Sequence, residues 1–199
     1  MQKRFVLLVT ALVVAIVMSI AFAAVFSYYP VSIAIAPTSP PVRFVTGSNA
    51  NQPDLGPGNT IEVSIGSNET SASLTIHPTY QVTYYKNVTL IVNGDTKAYS
   101  IYLRVASAAS LPPGATAYIY VYSKGASRSL SGYPTPAPSG YVAAVNLAST
   151  GTTFIGSLAG GSAYEIDVYV YIPEGVALPA TPATAQLLLI ATPSGETPP

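Results

Sequence analysis

The sequence predicts an all-β fold: a jelly-roll-like β-sandwich of about nine strands behind an N-terminal apolar helix. Three observations lead there. Hydrophobic residues recur with a period of two over short runs, the spacing that places alternate side chains on one face of a strand. Gly, Pro, Asn and Asp punctuate those runs. No amphipathic helical pattern of useful length occurs after residue 23. Many short strands joined by Pro/Gly turns pack as sandwiches or jelly rolls.

The first element is a leader. Lys3 and Arg4 precede an apolar run, residues 5–20, broken only by Thr10 and Ser19. Ala21-Phe22-Ala23 then offers small residues where a signal peptidase reads them. This predicts a signal peptide at 1–23, cut between Ala23 and Ala24. If retained, residues 5–26 would be long enough to anchor the chain in a bilayer.

A second greasy segment and a linker follow, residues 24–40. Tyr29, Val31, Ile33 and Ile35 share one parity, which Val25 and Ser27 extend towards the leader. Pro30, Ser32, Ala34 and Ala36 share the other. The pattern predicts a strand with large side chains on one face and small ones on the other. Proline at both ends suits an edge position, and Pro37, Pro40 and Pro41 stiffen the way out of it. Such a strand either opens the sheet of its own domain or completes the sheet of a neighbour by strand addition.

The β-domain is predicted at 41–191. Its strands are read from Ile61, Val63 and Ile65, from Leu74 and Ile76, and from Val82, Tyr84, Val88, Leu90 and Val92, with Lys86 interrupting that parity. Asn93-Gly94-Asp95 turns the chain. Ile101, Leu103 and Val105 form the next face, and Pro112-Pro113-Gly114 turns again. Residues 118–122, 141–147 and 152–158 are further strands. The clearest spans 163–172, with Tyr164, Ile166, Val168, Val170 and Ile172 inward and Glu165, Asp167, Tyr169 and Tyr171 towards water. The last, 185–190, is apolar apart from Gln186, as a strand covered on both faces would be. Residues 46–58 and 131–140 read as loops, and 192–199 as a flexible tail.

The chain is poor in catalytic ingredients. It has one histidine, no cysteine and no tryptophan, and only 8% of its residues are charged. His77, beside Pro78, reads as a surface residue and cannot build a zinc site alone. Glu165 and Asp167 share a strand face, where a carboxylate pair could do acid–base work, but the pattern favours a solvated face. Asp54 and Asn51 could offer oxygens to calcium. No phosphate-binding loop, dinucleotide fingerprint or nucleophile elbow occurs. A non-enzymatic protein is expected, with no catalytic, cofactor-binding or metal residue assigned and no cofactor. Eight bases balance eight acids, and loss of Lys3 and Arg4 with the leader leaves two acids in excess. That excludes the basic footprint of a nucleic-acid binder.

Two glycosylation sequons stand out, Asn68-Glu69-Thr70 and Asn87-Val88-Thr89, both expected to face solvent. All 15 tyrosines follow the leader. They fit either half-buried sheet positions or an association surface.

Four stretches occur in a telling order: Ala24-Val25-Phe26-Ser27 after the leader, Tyr85-Lys86-Asn87-Val88 leading to Asn93, Ser157-Leu158-Ala159-Gly160-Gly161-Ser162 before the Tyr164 strand, and Ala185-Gln186-Leu187-Leu188-Leu189 at the close. This order resembles the TasA/camelysin family of biofilm-matrix fibre proteins, in its archaeal bundling-pilus and thread-subunit branch. The resemblance covers most of the chain through loose, mostly structural motifs. It implies a secreted subunit of an extracellular, pilus-like filament that donates residues 24–36 to the next subunit, giving a head-to-tail homopolymer. Bundling with neighbouring filaments in a biofilm matrix is also implied, with membrane contact only during export. The peptidase activity described for some camelysins does not carry over, since the metal ligands are missing. The alternatives are a type IV-like pilin that keeps its N-terminal helix, and a membrane-anchored adhesive or carbohydrate-binding β-domain.

Overall fold

The structure is a computed structural model that describes residues 1–21, 26–193 and 195–199. The predicted cleavage pair Ala23 and Ala24, and Val25 of the predicted donor strand, lie outside the described residues. The chain divides into two units, Met1–Thr38 and Ser39–Pro199.

The first unit contains helix α1, Gln2–Ala21. Among the described residues, no helix is long and apolar enough to cross a membrane. Residues 26–38 have no regular secondary structure, and all of them are exposed. The strand expected there is therefore not formed in the single chain. The reason is physical: a strand is held by a ladder of bonds to a neighbour, and no described pairing involves these residues.

The second unit is the predicted β-sandwich, with twelve described strands rather than about nine. They are β1 Val42–Thr46, β2 Glu62–Ile65, β3 Ala72–Thr75, β4 Gln81–Asn93, β5 Tyr99–Ser107 and β6 Thr116–Ser123. The series continues with β7 Ser129–Ser131, β8 Ala137–Ser139, β9 Ala143–Asn146, β10 Gly151–Leu158, β11 Ala163–Ile172 and β12 Gln186–Thr192. The three additions are β1 and the short hairpin β7–β8. The hairpin lies largely in the stretch read as a loop, since three-residue strands leave almost no periodicity to detect.

Five strands form one sheet in the order β1-β4-β11-β6-β9, and three form another in the order β10-β5-β12. Every described pairing is antiparallel. The chain crosses between the sheets from β4 to β5, back to β6, and again around β10 and β12, the interleaving typical of jelly-roll sandwiches. One core lies between the sheets: Val88, Ile91, Val121, Ile166 and Val168 of the larger meet Ile101, Leu103, Val105, Ile155 and Leu158 of the smaller. The alternation in β11 and β5 is the cause. Each inward side chain in such a core contributes about 1.5–3 kcal/mol over its exposed state.

β4 departs from simple alternation. Its ladder with β11 breaks between Ile166↔Thr89 and Val168↔Tyr85, so three β4 residues stand opposite Asp167 alone. This bulge, with Asn87 at φ 47°, draws Val88 into the core. Val82 and Tyr84 instead pack on the outer face. Gly47 fits against the bulge because a Cβ there would lie 2.0 Å from the Asn87 carbonyl oxygen.

Candidate functional site

The exposed N-terminal segment is the first candidate. Tyr29 is 83% exposed, Val31 81%, Ile33 80% and Ile35 87%. Ser27 is exposed too. In an extended strand, i and i+2 residues stand about 6.6 Å apart on one side, so in that conformation these four would form an apolar ridge about 20 Å long. Soluble chains rarely leave such a ridge uncovered.

The edge of the smaller sheet is the second. Among the described residues, β12 has a single strand neighbour, β5. The expectation that residues 185–190 are covered on both faces is wrong. Leu187 and Leu189 pack against the core yet stay only partly buried, and Leu188 is 51% exposed. An apolar run on an edge strand offers a template for another chain unless charge, proline, shortness or a bulge blunts it. The other outer strands are blunted. On β1, Phe44 N–H donates to Glu69 O of the β2–β3 turn at 2.8 Å. β9 has four residues, and β10 carries a register break between Phe154 and Gly156. β12 has seven residues, Gln-Leu-Leu-Leu-Ile-Ala-Thr, without charge or proline. Its one irregularity falls at its first residue.

The outer face of the larger sheet holds a buried charge network that periodicity did not reveal. Glu165 and Asp167 do point away from the main core, but they are 7% and 0% exposed. The solvated carboxylate face is thus corrected. The cover is the excursion from Lys124 to Tyr141, which includes β7–β8. It brings Arg128 over the sheet, with Nη2 at 2.5 Å from Glu165 Oε2 and Nε at 2.9 Å from Asp167 Oδ2. The guanidinium stacks 4.5 Å from the Tyr122 ring centroid. Tyr84 Oη donates to Asp167, Asn87 N–H donates to its other oxygen at 2.7 Å, and Gly125 N–H donates to Glu165 at 3.1 Å. Burial alone would lower the Arg128 pKa, but the two carboxylates more than reverse that and hold it charged. Burial, reinforced by the bond to Asp167, raises the Tyr84 phenol far above its ordinary value. Every carboxylate oxygen here has a donor: Gly125 and Arg128 on Glu165, and Asn87, Tyr84 and Arg128 on Asp167.

The tyrosines divide accordingly. Tyr120, Tyr122 and Tyr169 are buried in this second cluster, with Tyr84, Tyr118 and Tyr171 partly buried around them. The Tyr120 ring packs 4.8 Å from Tyr141 and 6.0 Å from Tyr169. Burial, followed by the neighbouring phenols, pushes Tyr120 up to about 12. In the second unit, Tyr133 at 97%, Tyr141 at 42% and Tyr80 at 37% remain exposed.

The polar candidates separate. Asp54 receives Leu55 N–H and His77 N–H, both at 2.7 Å, and lies 3.0 Å from His77 Nδ1. Burial pushes its carboxyl up, but these bonds outweigh it and leave the pKa below the ordinary value. Asp54 thus ties the 46–58 loop to the end of β3. Among the described residues, no group of three or more His, Cys, Asp or Glu could hold a metal ion. Asn68 is exposed in the β2–β3 turn. Asn87, expected to face solvent, is half-buried in the bulge, with Nδ2 donating to Ser48 Oγ at 3.2 Å. The tail does not run free throughout: Tyr102 Oη donates to Glu196 O at 3.2 Å, and Arg104 donates to Pro199 O.

No protein-family model matches this chain, and no curated protein shows significant similarity to it.

Proposed function

We propose that this protein is a secreted structural subunit of an extracellular filament, assembled by donor-strand complementation. The observation that carries the reading is a pair of unmet needs in one chain. The 26–36 segment offers an alternating apolar ridge with no ladder of its own. β12 offers a long, uncharged edge beside a half-covered core. Supplying the segment of one subunit to the β12 edge of the next satisfies both. Main-chain bonds extend the three-stranded sheet, and alternate side chains pack beside the partly buried Leu187 and Leu189. Burying Tyr29, Val31, Ile33 and Ile35 stabilises each junction by about 1.5–3 kcal/mol per side chain. Each subunit gives one segment and takes another on a different surface, a heterologous contact that builds an open fibre when its rotation does not close into a ring.

In this reading the leader acts only in export, no reaction is catalysed, and exposed side chains such as Tyr133 contribute to lateral bundling in a biofilm matrix. The test is deletion of residues 26–36. The shortened protein is expected to fold as a monomer and to show no fibres by electron microscopy. Fibres from the deletion variant would overturn the proposal. A mature N-terminus at Phe5 in native fibres would instead mark a pilin that assembles through a retained helix.

A further inference from the structure

The two sequons are equivalent in sequence and unequal in the fold. Asn87 lies in β4, which is paired on one side to β1 and on the other to β11. Its amide nitrogen is engaged with Ser48, its Oδ1 is buried, its N–H is held by Asp167, and its carbonyl accepts Asn49 N–H at 3.2 Å. A transferase that binds its acceptor as a free peptide loop would have to lift an interior strand out of the sheet. Asn68 is exposed in the turn between β2 and β3, a separate two-stranded sheet. The turn is closed by Gly66 N–H to Ser71 O and Glu69 N–H to Gly66 O. The ion pair Arg43–Glu69 that flanks it is about half exposed, a kind worth little. Opening such a turn costs far less than opening a core strand.

We propose that Asn68, and not Asn87, is a site of N-linked glycosylation. The donor would be an oligosaccharide carried on a polyprenyl phosphate or diphosphate. Asn68 Nδ2 attacks the sugar C1, the N–C1 bond forms, and the amide gives up one N–H proton, taken in the balanced reaction by the departing lipid phosphate. The C1–O bond breaks, and the lipid phosphate departs with its electron pair. The proposal rests on export, one part of the functional reading above, because lipid-linked donors are used on the exported side of a membrane. It has a consequence for assembly. The modified turn is the one that caps β1 through Glu69 O, so a glycan there adds bulk beside that edge while β12 stays open.

Trypsin separates the two sequons, because it cuts after Arg43, Lys86 and Lys97. Mass spectrometry of the native protein should find peptide 44–86 heavier by a glycan and peptide 87–97 at its unmodified mass. An Asn68→Gln variant expressed in the native host should lose that increment. The N-terminal peptide, ending at Arg43, reports leader removal separately. If it starts at Ala24 and peptide 44–86 is unmodified, the glycosylation proposal fails alone. If it starts at Phe5, where trypsin cuts an uncleaved leader, and both peptides are unmodified, leader removal and glycosylation fail together. A glycan on Asn87 also overturns the proposal.

Discussion

Asp167 shows how much a single side chain depends on what lies over it. Its parity in β11 was legible: a carboxylate alternating with Ile166 and Val168 points away from the apolar face. Its environment was not, because the covering cation, Arg128, comes from a Ser- and Pro-containing stretch that carries no periodic signal. Inside the network, Asp167 is fully buried and accepts from Arg128, Tyr84 and Asn87. Removing one partner of a buried ion pair costs about 3–5 kcal/mol, because the other charge stays behind uncompensated. Arg128→Ala should therefore lower stability by that amount in urea denaturation, whereas Arg43→Ala, at an exposed pair, should shift it by less than about 1 kcal/mol. Equal effects from the two substitutions would contradict the account. The Asn87 sequon teaches the same lesson: alternation placed it outward, and a bulge opposite Asp167 turned it into a half-buried position.

At the scale of elements, β11 and β5 could be read directly from alternation, since each buries one face against the core. β12 was located but misread. Leu187-Leu188-Leu189-Ile190 has the composition of a strand covered on both faces, whereas in the single chain it is an edge with Leu188 half exposed. The mismatch has a physical meaning under the proposed function: the composition suits the assembled state, in which a neighbour supplies the missing cover. The 26–36 segment is its counterpart, with strand periodicity and no ladder. Leu188→Lys separates assembly from folding. The side chain is already exposed, so folding stability should change by about 0.5 kcal/mol or less, while a charge on the edge opposes strand addition. The variant should match the parent in thermal melting and fail to form fibres by electron microscopy. Fibre formation at the parental rate would show that β12 is not the acceptor.

For the whole molecule, the two-sheet architecture followed from turn spacing and alternation, while the pairing order and the second, tyrosine-rich cluster did not. Those depend on contacts between residues far apart in the chain. The buried tyrosines of this cluster and of the core between the sheets give the protein a pH signature. Tyr84, Tyr85, Tyr120, Tyr122, Tyr164 and Tyr169 all have their phenols raised, with burial the first cause in each case. The unfolded chain releases phenolic protons near the ordinary value of about 10, and the folded chain holds them to higher pH. The stabilisation is therefore fully present below pH 10 and is lost as pH rises through the folded values. Denaturation midpoints should be level between pH 7 and 9 and fall by pH 11. A midpoint at pH 11 equal to that at pH 9 would contradict burial of the tyrosines.

The central claim is that residues 26–36 lie in a neighbour's sheet, and cysteine cross-linking tests it most directly because the chain contains no cysteine. One variant carries Ala34→Cys, on the small-residue face of the segment, and a second carries Leu188→Cys on β12. Side chains paired across adjacent strands come within the Cα separation of about 4.4–6.8 Å that a disulfide needs, and Ser32→Cys and Ala36→Cys scan the register two residues either way. The two variants are mixed as monomers, assembled and oxidised. The account predicts a disulfide-linked dimer of one Ala34→Cys chain and one Leu188→Cys chain, or of its register neighbours. Fibres in which none of the three positions cross-links to Leu188→Cys, or in which a doubly substituted chain closes the bond only within itself, would contradict it.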